Sequence, residues 1–135
     1  MPQSDPAPRQ APVLLIDDEP AVLFAVGEYF GAHGLYTERA ADAVTARRLI
    51  AERNYRLVVA DLTLGPDQID PLEVVSDLRL TRPDLPVMVL TGCGSPEVRR
   101  RALELGVFAF VQKPAPLSQV LELARLALSE PRRGP

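Results

Sequence analysis

Short, almost purely apolar runs alternate along this chain with longer segments in which apolar residues recur every three or four positions. Four of the short runs are rich in β-branched or aromatic residues and end at a polar side chain, which is typical of strands buried on both faces of a parallel sheet. A fifth, more mixed run completes the alternation. The pattern predicts strands near residues 12–17, 35–38, 56–61, 86–91 and 107–112.

The intervening segments show helical periodicity and helical end signals. They predict helices over residues 19–32, 42–52, 72–80, 95–106 and 117–128. In the second helix we expect Val44, Leu49 and Ile50 to face inward. Five strands and five helices in strict alternation fit a flavodoxin-like α/β fold, in which a doubly wound five-stranded parallel sheet has the order 2-1-3-4-5.

Length and composition are those of a single globular domain. The chain has 135 residues, of which 47% are hydrophobic and 24% charged. Residues 1–11 and 130–135 have little apolar content, so we expect disordered tails around a domain over 12–129. The net charge of −3 argues against direct binding of nucleic acid or of a membrane surface. The chain shows neither a membrane-length apolar run nor a signal pattern, so the default expectation is a cytoplasmic location.

Polar groups follow four of the predicted strands. Asp17 and Asp18 follow the first, Asp61 the third, Thr91 the fourth and Lys113 the fifth. Ligands of such sheets bind at the carboxyl ends of the strands, so three acids, a hydroxyl and a cation converge there. The acids would raise one another's pKa unless a cation neutralised them, and Mg²⁺ suits carboxylate and water ligands. The lysine is the only one beside fourteen arginines, which suggests a site that needs a compact charge.

In these features the chain resembles the receiver domain of two-component response regulators over roughly residues 12 to 129. The acid pair, the single acid, the threonine and Lys113-Pro114 stand in the family's order at the ends of the corresponding strands. The resemblance implies that Asp61 is the phosphoacceptor. Its phosphoryl group would come from a sensor histidine kinase, a phosphotransfer protein or a small donor such as acetyl phosphate. The domain would then be a regulatory switch that catalyses only its own phosphorylation and dephosphorylation.

The resemblance also implies a metal site. Asp18 would hold Mg²⁺ directly and Asp17 largely through water, with Asp61 and the backbone carbonyl of Thr63 as further ligands. The ion would balance charge on the transferring oxygens. Mg²⁺ is therefore the expected cofactor.

The switch residues implied by the resemblance lie on the last strands. Lys113 and the Thr91 hydroxyl would each bind a phosphoryl oxygen, and Phe110 would turn inward when Thr91 moves. The Lys113-Pro114 peptide would be cis. The new charge, about −1.5 to −2 at pH 7, would alter the surface of the fourth helix, fifth strand and fifth helix. A downstream effector protein, an output domain or a second copy of the chain would read this surface.

Two loops depart from the family pattern. The loop after Asp61 is about two residues longer than usual. The positions that flank the path of the hydrolytic water in receivers hold Thr63 and Cys93, neither of which is an acid or an amide. We therefore expect a long-lived phosphoryl group.

Other interpretations remain at this stage. A haloacid-dehalogenase-like phosphohydrolase would also form an aspartyl phosphate, but it needs a second acid where this chain has Thr63. A flavodoxin-like cofactor binder would need a phosphate loop rich in Ser, Thr and Gly after the first strand. A receiver fold that has lost phosphorylation would not need the full set of site residues. Taken alone, Asp18 could simply cap the first helix, and Phe110 could simply belong to the core.

Overall fold

The computed structural model describes residues 11–62, 72–92 and 95–130. Within them, strands and helices alternate as predicted. The strands are β1 (Val13–Ile16), β2 (Thr37–Ala40), β3 (Leu57–Leu62), β4 (Val87–Thr91) and β5 (Ala109–Gln112). The helices are α1 (Pro20–Ala32), α2 (Ala43–Glu52), α3 (Glu73–Thr81), α4 (Pro96–Glu104) and α5 (Leu117–Ser129). None of these helices is long and apolar enough to cross a membrane.

The strands form one parallel sheet in the order β2-β1-β3-β4-β5, which confirms the predicted fold class. Residues in β1, β3 and β4 are buried throughout because helices cover both faces of the sheet. Successive side chains point to opposite faces. Leu14 joins a core cluster with α2, α3 and α4, whereas Leu15 joins a second cluster with α1 and α5.

The structure corrects the predicted position of the second strand. β2 begins at Thr37 rather than at Leu35, in a register that places Thr37 beside Val13 of β1. β2 is an edge strand, and its sequence Thr-Glu-Arg-Ala has no apolar run to mark it. The apolar residues Leu35 and Tyr36, which suggested an earlier start, precede the strand.

The structure also corrects the predicted inward face of α2. Val44 is 75% exposed. The helix buries Ala46 and Ile50 instead. Residues two positions apart lie about 200° apart around an α-helix, so Val44 cannot share the face of Ala46. Leu49 packs partly buried against the same cluster, as predicted.

The five helices differ in how firmly they pack on the sheet. α5 buries Val120, Leu121, Ala124 and Ala127, whereas α4 buries only Ala102. Each of the other three helices buries at least two residues. α4 is therefore the helix with the smallest apolar contribution to its own position.

The predicted tails fall almost wholly outside the described residues. The boundaries of the domain at residues 12 and 129 therefore stay predictions. The lengthened loop after Asp61 also lies largely outside the described residues.

Candidate functional site

The carboxyl ends of β1 and β3 lie side by side. Ile16 pairs with Ala60, so the residues that follow them, Asp17 and Asp61, are adjacent across the two strands. Both side chains are buried, with Asp17 3% and Asp61 9% exposed. The structure therefore brings two of the predicted acids into one nearly solvent-free space.

The carboxylate of Asp17 is only partly satisfied. Its Oδ1 accepts a hydrogen bond from the backbone N–H of Glu19 at 2.9 Å. Its Oδ2 is buried and has no hydrogen-bond donor among the described residues. Burial, together with the contact and charge of Asp61, raises the pKa of Asp17 to about 7, although the Glu19 N–H and the charge of Lys113 oppose the rise. A cation beside Oδ2 would stabilise the charged form.

Lys113 supplies one positive charge to this space. Its Nζ forms an ion pair with Oδ2 of Asp61. Its backbone N–H donates to the carbonyl oxygen of Thr91 at 2.8 Å, which holds the end of β5 beside the end of β4. The Lys113-Pro114 peptide is cis, as predicted. Burial alone would lower the pKa of Lys113, but the contact with Asp61 and the charges of Asp61, Asp17 and another nearby acid raise it.

Thr91 and Phe110 lie on the β4 and β5 side of the site. Thr91, the last residue of β4, is fully buried and pairs with Leu62 of β3. Phe110 is half-buried against the cluster that includes α4. The guanidinium carbon of Arg99, on α4, lies 5.9 Å from the centroid of the Phe110 ring. Phe110 is thus both a core residue and a neighbour of the α4 surface.

The sequence interpretation missed the Arg99 contact. The available signal was the run of three arginines at 99–101 on the predicted fourth helix. Such a run is most often a solvated face, and periodicity alone does not show that one member reaches an aromatic ring on a neighbouring strand.

The remaining predicted site residues are placed differently or not described. Asp18 is exposed at the carboxyl end of β1. The N-cap residue of α1 is Glu19, and it makes no side-chain capping hydrogen bond, so Asp18 is not the N-cap of this helix. Thr63 and Cys93 lie outside the described residues, and the expected phosphoryl lifetime stays a prediction.

The residues that are present fit Mg²⁺. Across the described ranges, no three acidic, histidine or cysteine side chains form a ready-made metal cage. Mg²⁺, however, usually binds through one or two carboxylates and keeps several waters. Asp17 and Asp61, with the buried Oδ2 of Asp17 lacking a described donor, meet that need. Asp18 lies exposed next to them in the sequence.

Comparisons with known proteins match this arrangement. A family model for the response regulator receiver domain matches residues 13–125. The regulatory protein VirG of Agrobacterium fabrum is 34% identical over an alignment of 128 residues that covers 92% of this chain and 49% of VirG. The response regulator MprA of a Mycobacterium species is 34% identical over 125 residues, covering 91% of this chain and 54% of MprA. The chain thus spans about half the length of these curated relatives.

Solved structures show the same fold. The receiver domain of NtrX from Brucella abortus has a TM-score of 0.80 and 29% identity, covering 88% of this chain and 99% of that one. A CheY-like receiver domain protein from Methanospirillum hungatei has a TM-score of 0.81 and 25% identity, covering 88% of this chain and 94% of that one. The match therefore extends over almost the whole of a receiver domain.

Proposed function

Since the chain belongs to the response regulator receiver domain family, we propose that it is a phosphoacceptor switch in which Asp61 takes the phosphoryl group. Asp61 lies near the end of the central strand, β3. The observation that carries the proposal is the ion pair between the buried Asp61 and the partly exposed Lys113, beside the partly satisfied Asp17. The similarities to receiver domains give no support to the phosphohydrolase alternative.

The chemical step transfers one group between two partners. A carboxylate oxygen of Asp61 attacks the phosphorus of the donor. A new P–O bond forms as the bond from phosphorus to the donor's histidine nitrogen or acetate oxygen breaks, and the electron pair leaves with the donor. The product is an acyl phosphate. The protein's part is to position the carboxylate and to balance the charge of the incoming oxygens.

Mg²⁺, held by Asp17, Asp18, Asp61 and the backbone carbonyl of Thr63, would supply positive charge to the transferring oxygens. Asp17 is suited to this role because burial leaves its Oδ2 without a donor in the described structure. The backbone N–H of Glu19 fixes the other oxygen and so orients the carboxylate. Asp17, whose pKa is raised, needs to be ionised to bind the ion.

Lys113 would keep a positive charge at the site throughout. In the unphosphorylated protein its ammonium pairs with Asp61. Once Asp61 is phosphorylated, the charge on its carboxylate is gone, and the ammonium is free to pair with a phosphoryl oxygen instead. The Thr91 hydroxyl would bind another oxygen, which requires this fully buried residue to shift.

The movement of Thr91 would be passed on to the surface through Phe110. The ring is half-buried and contacts Arg99, so a turn of the ring changes what α4 and β5 present to solvent. We propose that the surface of α4, β5 and α5 is read by an effector protein, an output domain or a second copy of the chain. A histidine kinase or phosphotransfer protein would act at the carboxyl end of the sheet. The cytoplasmic location and the lack of direct nucleic-acid or membrane binding stay predictions.

The proposal is tested by phosphorylation with acetyl phosphate and Mg²⁺. The protein should gain one phosphoryl mass that is stable to acid and labile to base. Asp61→Asn should gain none because an amide is not a nucleophile of this kind. Asp77→Asn is the matched control, since Asp77 is a surface residue on α3, about half exposed, whose carboxylate pairs with Arg47. Intact mass spectrometry measures the result.

Equal labelling of Asp61→Asn and the unmodified protein would reject Asp61 as the acceptor. Loss of labelling in Asp77→Asn as well would show that the assay reports general damage instead. Labelling that is independent of Mg²⁺ would reject the metal role while leaving the acceptor in place.

A further inference from the structure

The guanidinium of Arg79, near the carboxyl end of α3, joins three parts of the fold. Its Nε donates to the carbonyl oxygen of Leu105 at 3.1 Å, and its Nη1 donates to that of Leu85 at 2.8 Å. Leu105 is the C-cap residue of α4, and Leu85 lies in the turn before β4. One half-buried cation on α3 therefore fixes both the end of α4 and the entry to β4.

The chain around the end of α4 is suited to this contact. Gly106 has a φ of +86°, which favours glycine because other residues rarely adopt it. Arg79 Nη2 lies 3.5 Å from where a Cβ on Gly106 would stand, so the guanidinium packs against this turn. A cation at the last carbonyl groups of a helix also meets the negative end of the helix dipole. The contact therefore combines hydrogen bonding, packing and charge.

The amino end of α4 is held differently. Its N-cap residue, Ser95, accepts a hydrogen bond from the backbone N–H of Val98 at 3.2 Å, which lies within the helix itself. Arg99 contacts Phe110 at 5.9 Å, a contact that a turn of the ring would change. Ser95 is only four positions after Thr91 in the chain. The end of α4 nearest the site is thus tied to elements expected to move.

We propose that Arg79 makes the carboxyl end of α4 a fixed pivot, so that a change starting at Thr91 swings the amino end of the helix while the carboxyl end stays against α3. The source of the movement rests on the proposed phosphoacceptor function. Arg79 touches no reacting atom and is a positioning residue. A partner that distinguishes the two states then reads the part of α4 that carries Arg99 rather than the part near Glu104.

Arg82 provides a matched control on the same helix end. Its Nη2 donates to the carbonyl oxygen of Ile50 at 2.7 Å, so it ties α3 to α2 as Arg79 ties α3 to α4. Arg79→Gln and Arg82→Gln each remove one charged donor from backbone carbonyls. They differ in which helix is released.

Hydrogen exchange of the unphosphorylated full chain, measured by NMR, tests whether Arg79 fixes the carboxyl end of α4. In Arg79→Gln we expect the amides of Leu105 and Val107 to exchange at least about tenfold faster, as befits loss of a charged hydrogen bond. In Arg82→Gln they should stay within about twofold, while the amide of Arg53 at the end of α2 speeds up. Arg79→Lys, which keeps the charge but lacks the fixed planar arrangement of two donor nitrogens, should lie between. Urea unfolding of each variant shows whether global stability contributes to the rates.

Phosphorylation with acetyl phosphate and Mg²⁺ then tests the pivot. In the wild-type protein, phosphorylation should change the exchange rate of the Arg99 amide but not that of the Leu105 amide. In Arg79→Gln the change should extend to Leu105. Equal acceleration of exchange at Leu105 in the two glutamine variants would overturn the inference. So would a change on phosphorylation of the wild-type protein that is as large at Leu105 as at Arg99. Failure to gain phosphoryl mass would overturn the proposed function instead, and the unphosphorylated comparison would still decide whether Arg79 clamps α4.

Discussion

At the carboxyl end of the sheet, Asp17 and Asp61 lie buried against one lysine, and an oxygen of Asp17 has no donor among the described residues. At the amino end of the sheet, the carboxylate of Glu38 accepts hydrogen bonds from two side chains. The hydroxyl of Tyr55 donates to its Oε1 at 2.7 Å, and Nη1 of Arg53 donates to its Oε2 at 2.8 Å. Acids thus exceed cations at one end of the sheet, while the acid at the other end is fully paired.

Arginines extend this contrast. Arg56, Arg79 and Arg82 all lie toward the amino end and donate to backbone carbonyls of neighbouring segments. Each satisfies an acceptor that would otherwise rely on water. The amino end therefore stabilises the fold, whereas the carboxyl end holds buried acid whose ionisation favours unfolding. Functional sites commonly carry such an electrostatic cost.

The largest expected effect is a fall in metal-free stability as pH rises. The pKa of Asp17 rises from 3.8 to about 7 on folding, so between these values the folded state holds more protons than the unfolded state. The free energy of unfolding should therefore decrease with rising pH, on the order of 4 kcal/mol in total. Asp17→Asn should remove most of this slope and be the more stable protein near pH 8. Urea unfolding in EDTA measures both.

Titration of the Lys113 ammonium does not contribute to this pH dependence. Its pKa is raised above 10.5, so the stability that it contributes is lost only at still higher pH. An Asp17→Asn variant with the same slope as the unmodified protein would mean that the two ends of the sheet do not differ in the way described.

The next largest effect is the recovery, on adding Mg²⁺, of the stability that is lost when Asp17 ionises. An ion that binds only the folded state adds about 2.7 kcal/mol at a concentration 100 times its Kd. This gain should be present near pH 8 and small near pH 5, where Asp17 is protonated. Asp18→Asn should weaken the gain because it removes a charged ligand. Thermal unfolding with and without Mg²⁺ at constant ionic strength checks this, with Asp77→Asn as the control. If Mg²⁺ stabilises Asp18→Asn as much as the wild-type protein, Asp18 is not a ligand of the ion.

The smallest effect concerns the amino end. Tyr55 is 2% exposed, and Tyr55→Phe keeps its packing while removing one donor from Glu38. We expect a loss of about 1.5 kcal/mol in the free energy of unfolding. Burial and the neighbouring Glu38 raise the pKa of Tyr55, so the loss should be the same from about pH 5 to pH 8. A stabilising or pH-dependent result, measured by urea unfolding, would break the contrast with Asp17→Asn.

The fold was predictable where strands are buried on both faces. β1, β3 and β4 lie within one residue of their predicted ends at every boundary because an unbroken apolar run marks them. β2 lies two residues later than predicted because it pairs on one side only and its polar residues give no strand signal. Val44 was assigned to the wrong face because Ala46, a small residue, contributes little to an apolar pattern although it is fully buried.

The candidate site was predictable as a set of strand ends. A parallel sheet brings those ends together, so the adjacency of Asp17, Asp61 and Lys113 follows from the strand order. The unequal burial of Asp17 and Asp18 does not follow from the strand order. Neighbouring residues after a strand point in opposite directions, and the covering helix decides which of them is enclosed. The contacts of Arg79 were also beyond the sequence. A side chain that reaches backbone carbonyls of distant segments leaves no periodic signal.

The lone lysine of the chain has a practical consequence. A reagent that acylates amines has one side-chain target here, Lys113, and that amine is paired with the proposed phosphoacceptor. Only the unpaired, deprotonated amine reacts, so the ion pair and the raised pKa both slow the labelling. Any event that separates Lys113 from Asp61 changes the rate of this one reaction. The sequence therefore carries its own chemical reporter of the site, with no other lysine to obscure it.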